Sequence, residues 1–301
     1  MRYRVTHRTT YRYDDDVSSS YGQTHLLPRD LPGAAQVCRA SDVVIDPVPE
    51  DYRERRDFFG NRVAFFAILS THRALSVTTT TDVDVHRNGQ AASLPESPPE
   101  SQSWEQVLEL TRTGMGPDTL DARQYRLDSP LVASSASLEE YARPSFPPGR
   151  APLDALRDLA ERIHGDFAYE RGATGVTTNV REVFAGRKGV CQDFAHLAIG
   201  CLRSIGLAAR YVSGYLETHP PPGRPRLIGA DVSHAWASLY VPSAGWIDID
   251  PTNNQFVDDR YVTTAWGRDY GDVPPLKGVI FTEATEHELD VVVDVTKLDG
   301  G

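Results

Sequence analysis

The stretch GVCQDFAHL, residues 189–197, decides the fold, because a sharp turn, a helix start and a cysteine follow one another within it. Gly189 permits the turn before the helix, and Gly206 is expected to end the helix. Cys191 then lies in the first helical turn, where unpaired backbone N–H groups and the positive end of the helix dipole favour an anion. The thiolate is the nucleophilic form of cysteine. An apolar stripe at helical spacing supports the helix: Phe194, Ala195, Ala198, Ile199, Leu202 and Ile205.

Two later segments, DVSHAWASLYV from residue 231 and GWIDIDPTNN from residue 245, add residue types that can activate a thiol. His234 lies in a predicted strand, and an imidazole that titrates near neutrality can take a thiol proton. Asp248 and Asp250 share one face of the next predicted strand. Asp250 precedes a proline at the strand end, where a carboxylate can orient the imidazole. Taken singly, these residues have plainer interpretations, namely a packed cysteine, a satisfied core histidine and an Asp-Pro turn.

Four short blocks follow one another in the second half of the chain: Gly189-Val190-Cys191, Ala209-Arg210-Tyr211-Val212-Ser213-Gly214-Tyr215, His234-Ala235-Trp236 and Gly245-Trp246 to Asp250-Pro251-Thr252. Together they resemble the core pattern of the transglutaminase-like superfamily. Phe167-Ala168-Tyr169 with Thr174, the segment GRDYGDVPP at residues 267–275 and the opening MRYRVTHRTTYRYD are similar to flanking and N-terminal regions of its bacterial members. The resemblance covers nearly the whole chain.

The resemblance implies a papain-like α+β core, with helices packed on an antiparallel sheet. It also implies Cys191 as nucleophile, His234 as base and Asp250 as the residue that orients the histidine. Asp250 takes the third role rather than Asp248, because Asp250 is joined to the Pro-Thr of the family block. The reaction implied is attack on an amide or peptide bond through an acyl-thioester.

The sequence departs from the papain pattern at the oxyanion site, because Ala185 stands six residues before the nucleophile in place of a glutamine. The Cys191 backbone N–H is one expected donor, and Tyr169 is a candidate for the second. The full set of candidate oxyanion or substrate contacts is Tyr169, Gln192, Trp236, Arg268, Asp269 and Tyr270. His196 is expected on the polar side of the helix. Neither a metal nor another cofactor is expected, and calcium dependence is not carried over.

The first part of the chain predicts strands. Tyr3, Val5 and His7 alternate with arginines, and a second alternating run of β-branched residues spans 77–85. Pro- and Ser-rich stretches near residues 87–103 and 143–152 then mark breaks. We therefore expect an N-terminal β-sandwich-like domain at 1–90, a linker with helical segments at 91–150 and the catalytic domain at 151–301.

Composition narrows the possible partners. Within 301 residues, 42 acidic and 31 basic side chains give a net charge of −11, which disfavours binding to nucleic acid or to an anionic membrane. No apolar run is long enough for a transmembrane helix, and the N-terminus lacks the apolar region of a secretory signal. A cytoplasmic protein is therefore expected. Its expected partner is a peptide, a protein amide or a small amide, and the sequence leaves the oligomeric state open.

Three functional classes remain open. A thiol enzyme would be a protease or amidase if water accepts the acyl group, and a transglutaminase if an amine does; residue types do not decide between them. A non-catalytic binding or structural module on the same fold is the alternative, which the intact Cys, His and Asp set disfavours. A metal site formed by Cys191 and His234 is the weakest hypothesis, because further ligands are not evident.

Overall fold

The computed structural model describes residues 1–87, 102–218 and 233–298, so the Pro- and Ser-rich stretch at 88–101 and the proline-rich loop from residue 219 lie outside the described residues. Its strands are β1 (Arg2–Thr24), β2 (Gln36–Asp46), β3 (Asp51–Arg56), β4 (Arg62–Ile68), β5 (His72–Val85), β6 (Ala168–Tyr169), β7 (Lys188–Gly189), β8 (Ala209–Leu216), β9 (Ser233–Val241), β10 (Gly245–Asp250), β11 (Gln255–Phe256), β12 (Tyr261–Gly267), β13 (Leu276–Thr282) and β14 (His287–Leu298). Its α-helices are α1 (Trp104–Thr113), α2 (Pro117–Ala122), α3 (Ala136–Ala142), α4 (Pro152–Asp166), α5 (Val180–Gly186) and α6 (Cys191–Ser204). Within these ranges, no helix is long and apolar enough to cross a membrane.

The N-terminal strands form an antiparallel sheet built around β1, whose order is β2-β5-β1-β4-β3. The first half of β1 pairs with β5 and its second half with β4, and the register shifts between Arg12 and Val17. The alternation in sequence is borne out: Tyr3 and Val5 are buried. Residues of β1, β2, β4 and β5 meet in one apolar cluster. The N-terminal strands therefore form a single sheet that curls on itself, where a β-sandwich-like domain was expected. That cluster is Tyr13, Val17, Ile45, Phe66, Ile68, Leu75 and Val77.

The last two strands belong to this N-terminal sheet rather than to the core that precedes them. β13 and β14 pair with β1 along its other edge, from Leu276 opposite Thr24 to Leu298 opposite Arg2. The division expected from the sequence grouped these residues with 151–301. An alternating pattern such as that of β14 predicts a strand but does not say which sheet it joins.

The second half of the chain forms the expected α+β core. Among the described residues its sheet has five antiparallel strands in the order β11-β10-β9-β8-β12. Helix α6 packs against β9 and β8, and it runs from Cys191 to Ser204 with Gly206 just beyond it in a left-handed conformation, φ 87°. The predicted helix and its glycine stop are confirmed, and so is the fold class.

Helices α1 and α3 are part of this core, although the sequence placed them in a linker. Trp104, Val107, Leu138 and Ala142 are buried in the same apolar cluster as the inner faces of α4 and α6. The two helices have only ten and seven residues and lie between Pro-rich breaks, so the sequence predicted helical segments but not their packing in the core.

Two amide side chains from the N-terminal sheet hold the outer edge of β12. Gln36 donates to the Thr263 carbonyl and accepts from the Thr263 N–H, at 2.7 and 2.8 Å. Asn61 binds the Trp266 carbonyl and N–H in the same way, at 2.8 and 2.9 Å. Each amide therefore replaces the backbone of a neighbouring strand, and the two sheets are joined through hydrogen bonds as well as apolar contacts.

Candidate active site

The turn from β7 into α6 places Cys191 at the first position of the helix. Asp193 closes this turn, because its carboxylate accepts hydrogen bonds from the Val190 N–H at 2.7 Å and from the Thr174 hydroxyl at 2.6 Å. The Asp193 side chain would lie only 2.6 Å from a Cβ at position 189, so Gly189 is required there. Cys191 itself is half-buried, whereas Cys201 farther along the same helix is buried.

Strands β9 and β10 are neighbours in the sheet and bring the predicted histidine and aspartate together. His234 Nε2 lies 2.6 Å from Asp250 Oδ2. Asp250 is fully buried, and His234 is 8% exposed. At this distance and burial the contact is a charge-assisted hydrogen bond, which is stronger than a neutral one.

The partners of His234 determine its charge. Burial alone would lower the pKa of His234, but hydrogen bonds to Asp250 and Cys191, and the charges of both groups, raise it to about 10. Because Nε2 is bonded to Asp250, Nδ1 is the ring nitrogen left for the Cys191 sulfur. Burial would likewise raise the pKa of Asp250, yet the hydrogen bond and charge of His234 lower it below its ordinary value. The three side chains can therefore hold a thiolate, an imidazolium and a carboxylate in a row.

Asp250 has donors on both of its oxygens. Oδ1 accepts from the backbone N–H groups of Thr252 and Asn253, at 2.9 and 3.2 Å. Oδ2 accepts from His234, from Asn253 Nδ2 at 2.6 Å and from the Tyr261 hydroxyl at 2.7 Å. Sequence reasoning missed Asn253 and Tyr261. The asparagine directly after Asp-Pro-Thr could have indicated a donor to Asp250, because short polar residues in turns form local hydrogen bonds. Nothing in the sequence around Tyr261 indicates such a role.

Asp248, the second acid of the same strand, has a different partner. It lies 2.9 Å from Arg87 Nη1, and both side chains are buried. Arg210 also interacts with this carboxylate: burial lowers the pKa of Arg210 to about 10, against the raising effect of Asp248. Of the two carboxylates that the sequence offered, Asp250 is the one bonded to His234.

Tyr169 and Gln192 lie beside the start of α6. β6 pairs in parallel with β7, which puts Tyr169 opposite Gly189. The Tyr169 ring is half exposed and stands edge-on to Phe194, with ring centres 6.3 Å apart. Gln192 is buried, and its Nε2 donates to the Val176 carbonyl at 3.2 Å. Tyr169 thus lies beside the start of α6 with its ring half exposed, whereas the Gln192 amide holds the preceding loop to the helix.

Trp236, Arg268 and Asp269 have structural partners. Trp236 is fully buried and stands edge-on to Tyr261, with ring centres 5.4 Å apart. Arg268 makes two hydrogen bonds of 2.9 Å with Asp272. Asp269 is buried and accepts from the backbone N–H of Leu131 at 2.9 Å and of Gly271 at 2.8 Å. These contacts tie the segment after β12 to the core.

Tyr270 and His196 belong to the same buried region. The Tyr270 N–H donates to His196 Nε2 at 3.1 Å, and Tyr211 lies between the two rings, at 5.1 Å from His196 and 6.3 Å from Tyr270. The prediction that His196 lies on a polar side was wrong, because all of α6 from Gln192 to Arg203 is buried and the helix has no such side. Burial lowers the pKa of His196 to about 4.

Family models match both halves of the chain. The model described as the bacterial transglutaminase-like N-terminal region matches residues 3–84, and the transglutaminase-like superfamily model matches residues 139–251. The second match contains all three of Cys191, His234 and Asp250.

Similar proteins include both relatives and a solved structure. An uncharacterized protein of Mycobacterium bovis is 47% identical over 303 residues, covering 99% of this chain and 94% of its own. The protein-glutamine gamma-glutamyltransferase of Pseudomonas aeruginosa is 29% identical over 191 residues, covering 51% of this chain and 29% of its own. A structure described as a candidate cysteine protease of Cytophaga hutchinsonii shares the fold, with a TM-score of 0.70, 19% identity and coverage of 99% of this chain and 92% of its own.

Proposed function

The chain belongs to the transglutaminase-like superfamily, and on that premise we propose that it is a thiol-dependent enzyme that acts on amide or peptide bonds. The acyl group passes through a thioester on Cys191. His234 is the general base and then the general acid, and Asp250 orients it. The substrate is a peptide or protein amide, or a small amide.

The reaction has two balanced halves. The Cys191 thiolate attacks the amide carbonyl carbon and forms a C–S bond, while the carbonyl oxygen becomes an oxyanion that the Cys191 backbone N–H can stabilise. The C–N bond then breaks as the His234 imidazolium gives its proton to the leaving amine. An acceptor, either water or a second amine, loses a proton to His234 and attacks the thioester, which frees the thiolate.

One observation carries the proposal. The imidazole of His234 is bonded to the buried Asp250 at 2.6 Å, and a hydrogen bond to Cys191 also raises its pKa. A binding module has no use for a nucleophile, a base and an orienting acid in one row. The half-buried thiol at a helix start adds to this, because that position favours the thiolate.

The first test is thiol labelling. Iodoacetamide at neutral pH, followed by peptide mass spectrometry, compares Cys191 with Cys38, which is also half-buried, and with the buried Cys201. We expect Cys191 to react at least about tenfold faster than Cys38, because only the thiolate is the nucleophile. Equal rates at Cys191 and Cys38 would contradict an activated thiol.

The second test identifies the reaction. Glutamine-containing peptides are incubated with the protein, with and without a primary amine, and the products are analysed by mass spectrometry. Cleavage, deamidation and amine incorporation give different mass changes, so hydrolysis and transfer are told apart. Cys191→Ala should abolish every product and Cys38→Ala should change none. Full activity in Cys191→Ala would refute the thiol mechanism.

A further inference from the structure

We propose that Tyr261 is a positioning residue, which holds Asp250 Oδ2 so that His234 keeps its second ring nitrogen toward Cys191. The inference rests on the proposed function and concerns the same site. Tyr261 reaches the carboxylate from β12, whereas the other donors to Asp250 come from β9 or from the turn that follows β10 itself.

The direction of the Tyr261 hydrogen bond is fixed by its neighbour. Gln255 Nε2 donates to the Tyr261 hydroxyl oxygen at 2.6 Å. The phenol proton is then free to be given to Asp250 Oδ2, which lies 2.7 Å away. Burial raises the pKa of Tyr261, and the nearby charges of Asp250 and Asp258 raise it further, so the phenol stays protonated and remains a donor.

The ring of Tyr261 is as constrained as its hydroxyl. It is fully buried, stands edge-on to Trp236 with ring centres 5.4 Å apart, and lies 6.0 Å from the His234 ring. Packing on this scale leaves the phenol one rotamer. A phenol held in this way fixes the carboxylate oxygen to which His234 is bonded, and a fixed oxygen leaves the imidazole one orientation.

Asn253 supplies the remaining side-chain donor to the same oxygen, at 2.6 Å. Unlike Tyr261 it is exposed and lies in the turn next to Asp250. The two donors reach the same oxygen from different elements, so each can be removed by its own substitution. A variant at each position therefore tests whether the orientation of Asp250 matters. If one of the two variants does not fold, the other still gives the test.

The experiment measures the rate of iodoacetamide labelling at Cys191 at about pH 6 and about pH 9, the latter above the ordinary pKa of a free thiol. At the lower pH a thiolate exists only as a pair with the imidazolium, whereas at the higher pH a thiol that lacks this partner also ionises. The ratio of the rate at the lower pH to the rate at the higher pH therefore reports the ion pair, and a high ratio means that the pair is present. Cys191 in an unfolded chain reacts as an ordinary thiol and would lower the ratio, so circular dichroism must show that each variant is folded at both pH values.

We expect Tyr261→Phe to lower this ratio by about tenfold, the effect of one hydrogen bond to a charged group, and Asn253→Ala to lower it in the same direction. Tyr215→Phe is the matched control: it removes a hydroxyl from an equally buried tyrosine, whose partner is His7 rather than Asp250. That variant should keep the wild-type ratio.

The outcomes separate the two proposals. A wild-type protein whose Cys191 is not labelled at low pH overturns the proposed function, and this inference with it. A wild type with a high ratio that Tyr261→Phe leaves unchanged overturns the role of Tyr261 alone. A ratio lowered equally by Tyr215→Phe also overturns it, because the effect would then be one of packing.

Discussion

The two aspartates of β10 should differ in their effect on turnover when each is changed to asparagine. Asp250→Asn should cripple the reaction of the folded protein, because an amide cannot stabilise the imidazolium, and it should also cost stability, because its NH2 replaces an oxygen that accepts hydrogen bonds. Asp248→Asn should lower stability and leave the chemistry of the folded protein intact. Asp248 is bonded to the buried Arg87, and Asp250 to His234.

The structure sets the size of each effect. The pKa of His234 is raised from its ordinary 6.5 to about 10, a preference for the imidazolium of about three powers of ten that Asp250 and Cys191 share. We therefore expect Asp250→Asn to lower turnover by about 10³- to 10⁴-fold. For Asp248→Asn the buried guanidinium of Arg87 loses its counter-charge but keeps an acceptor, which should cost about 2–3 kcal/mol and lower the melting temperature by about 3–5 °C.

The assay pairs turnover on the peptide found by mass spectrometry with thermal unfolding followed by circular dichroism. Turnover is measured well below the melting temperature of the weaker variant, so that both proteins are folded. If Asp248→Asn destroys turnover in folded protein while Asp250→Asn keeps it, the assignment of the third residue is wrong. If both keep full turnover, the thiol-enzyme mechanism fails.

Three further outcomes are expected. Gly214→Ala should destabilise the fold by at least about 3 kcal/mol, measured by chemical denaturation, because its Cβ would lie 2.0 Å from the Val262 carbonyl oxygen and 2.6 Å from the Trp236 ring. His234 should keep its proton up to its pKa of about 10 and lose it above, seen as a change in its ring resonances in NMR spectra recorded across that range. Stability should fall as pH drops from about 6.5 to about 4, because burial lowers the pKa of His7 to about 4 and the unfolded chain binds its proton first; a flat melting temperature across that range would contradict this.

The sequence predicted the core and the three site residues because each left a local signal. The turn at Gly189, the apolar stripe of α6 and the Asp-Pro-Thr run are readable within a few residues. The assignment of Asp250 over Asp248 came from its neighbours in the family block, and the structure shows Asp250 bonded to His234.

What the sequence did not predict depends on partners that are distant along the chain. The apolar alternation of β14 was clear, but its pairing with β1 spans almost the entire protein. Tyr261 looks like any strand tyrosine until β12 is placed beside the site. His196 was assigned to a polar face, yet the short helices α1 and α3, the sheet and the segment around Tyr270 surround α6 on every side.

The amides of Gln36 and Asn61 also bear on whether other chains can add to the edge of β12. An edge strand with unpaired N–H and C=O groups is a template on which another chain can add a strand, and such addition is a common route to aggregation. At Thr263 and Trp266 those groups are already occupied by side chains. The N-terminal sheet therefore acts as an internal cap for the α+β core, and expression of that core alone would expose unpaired backbone groups of β12 on which another chain could add a strand.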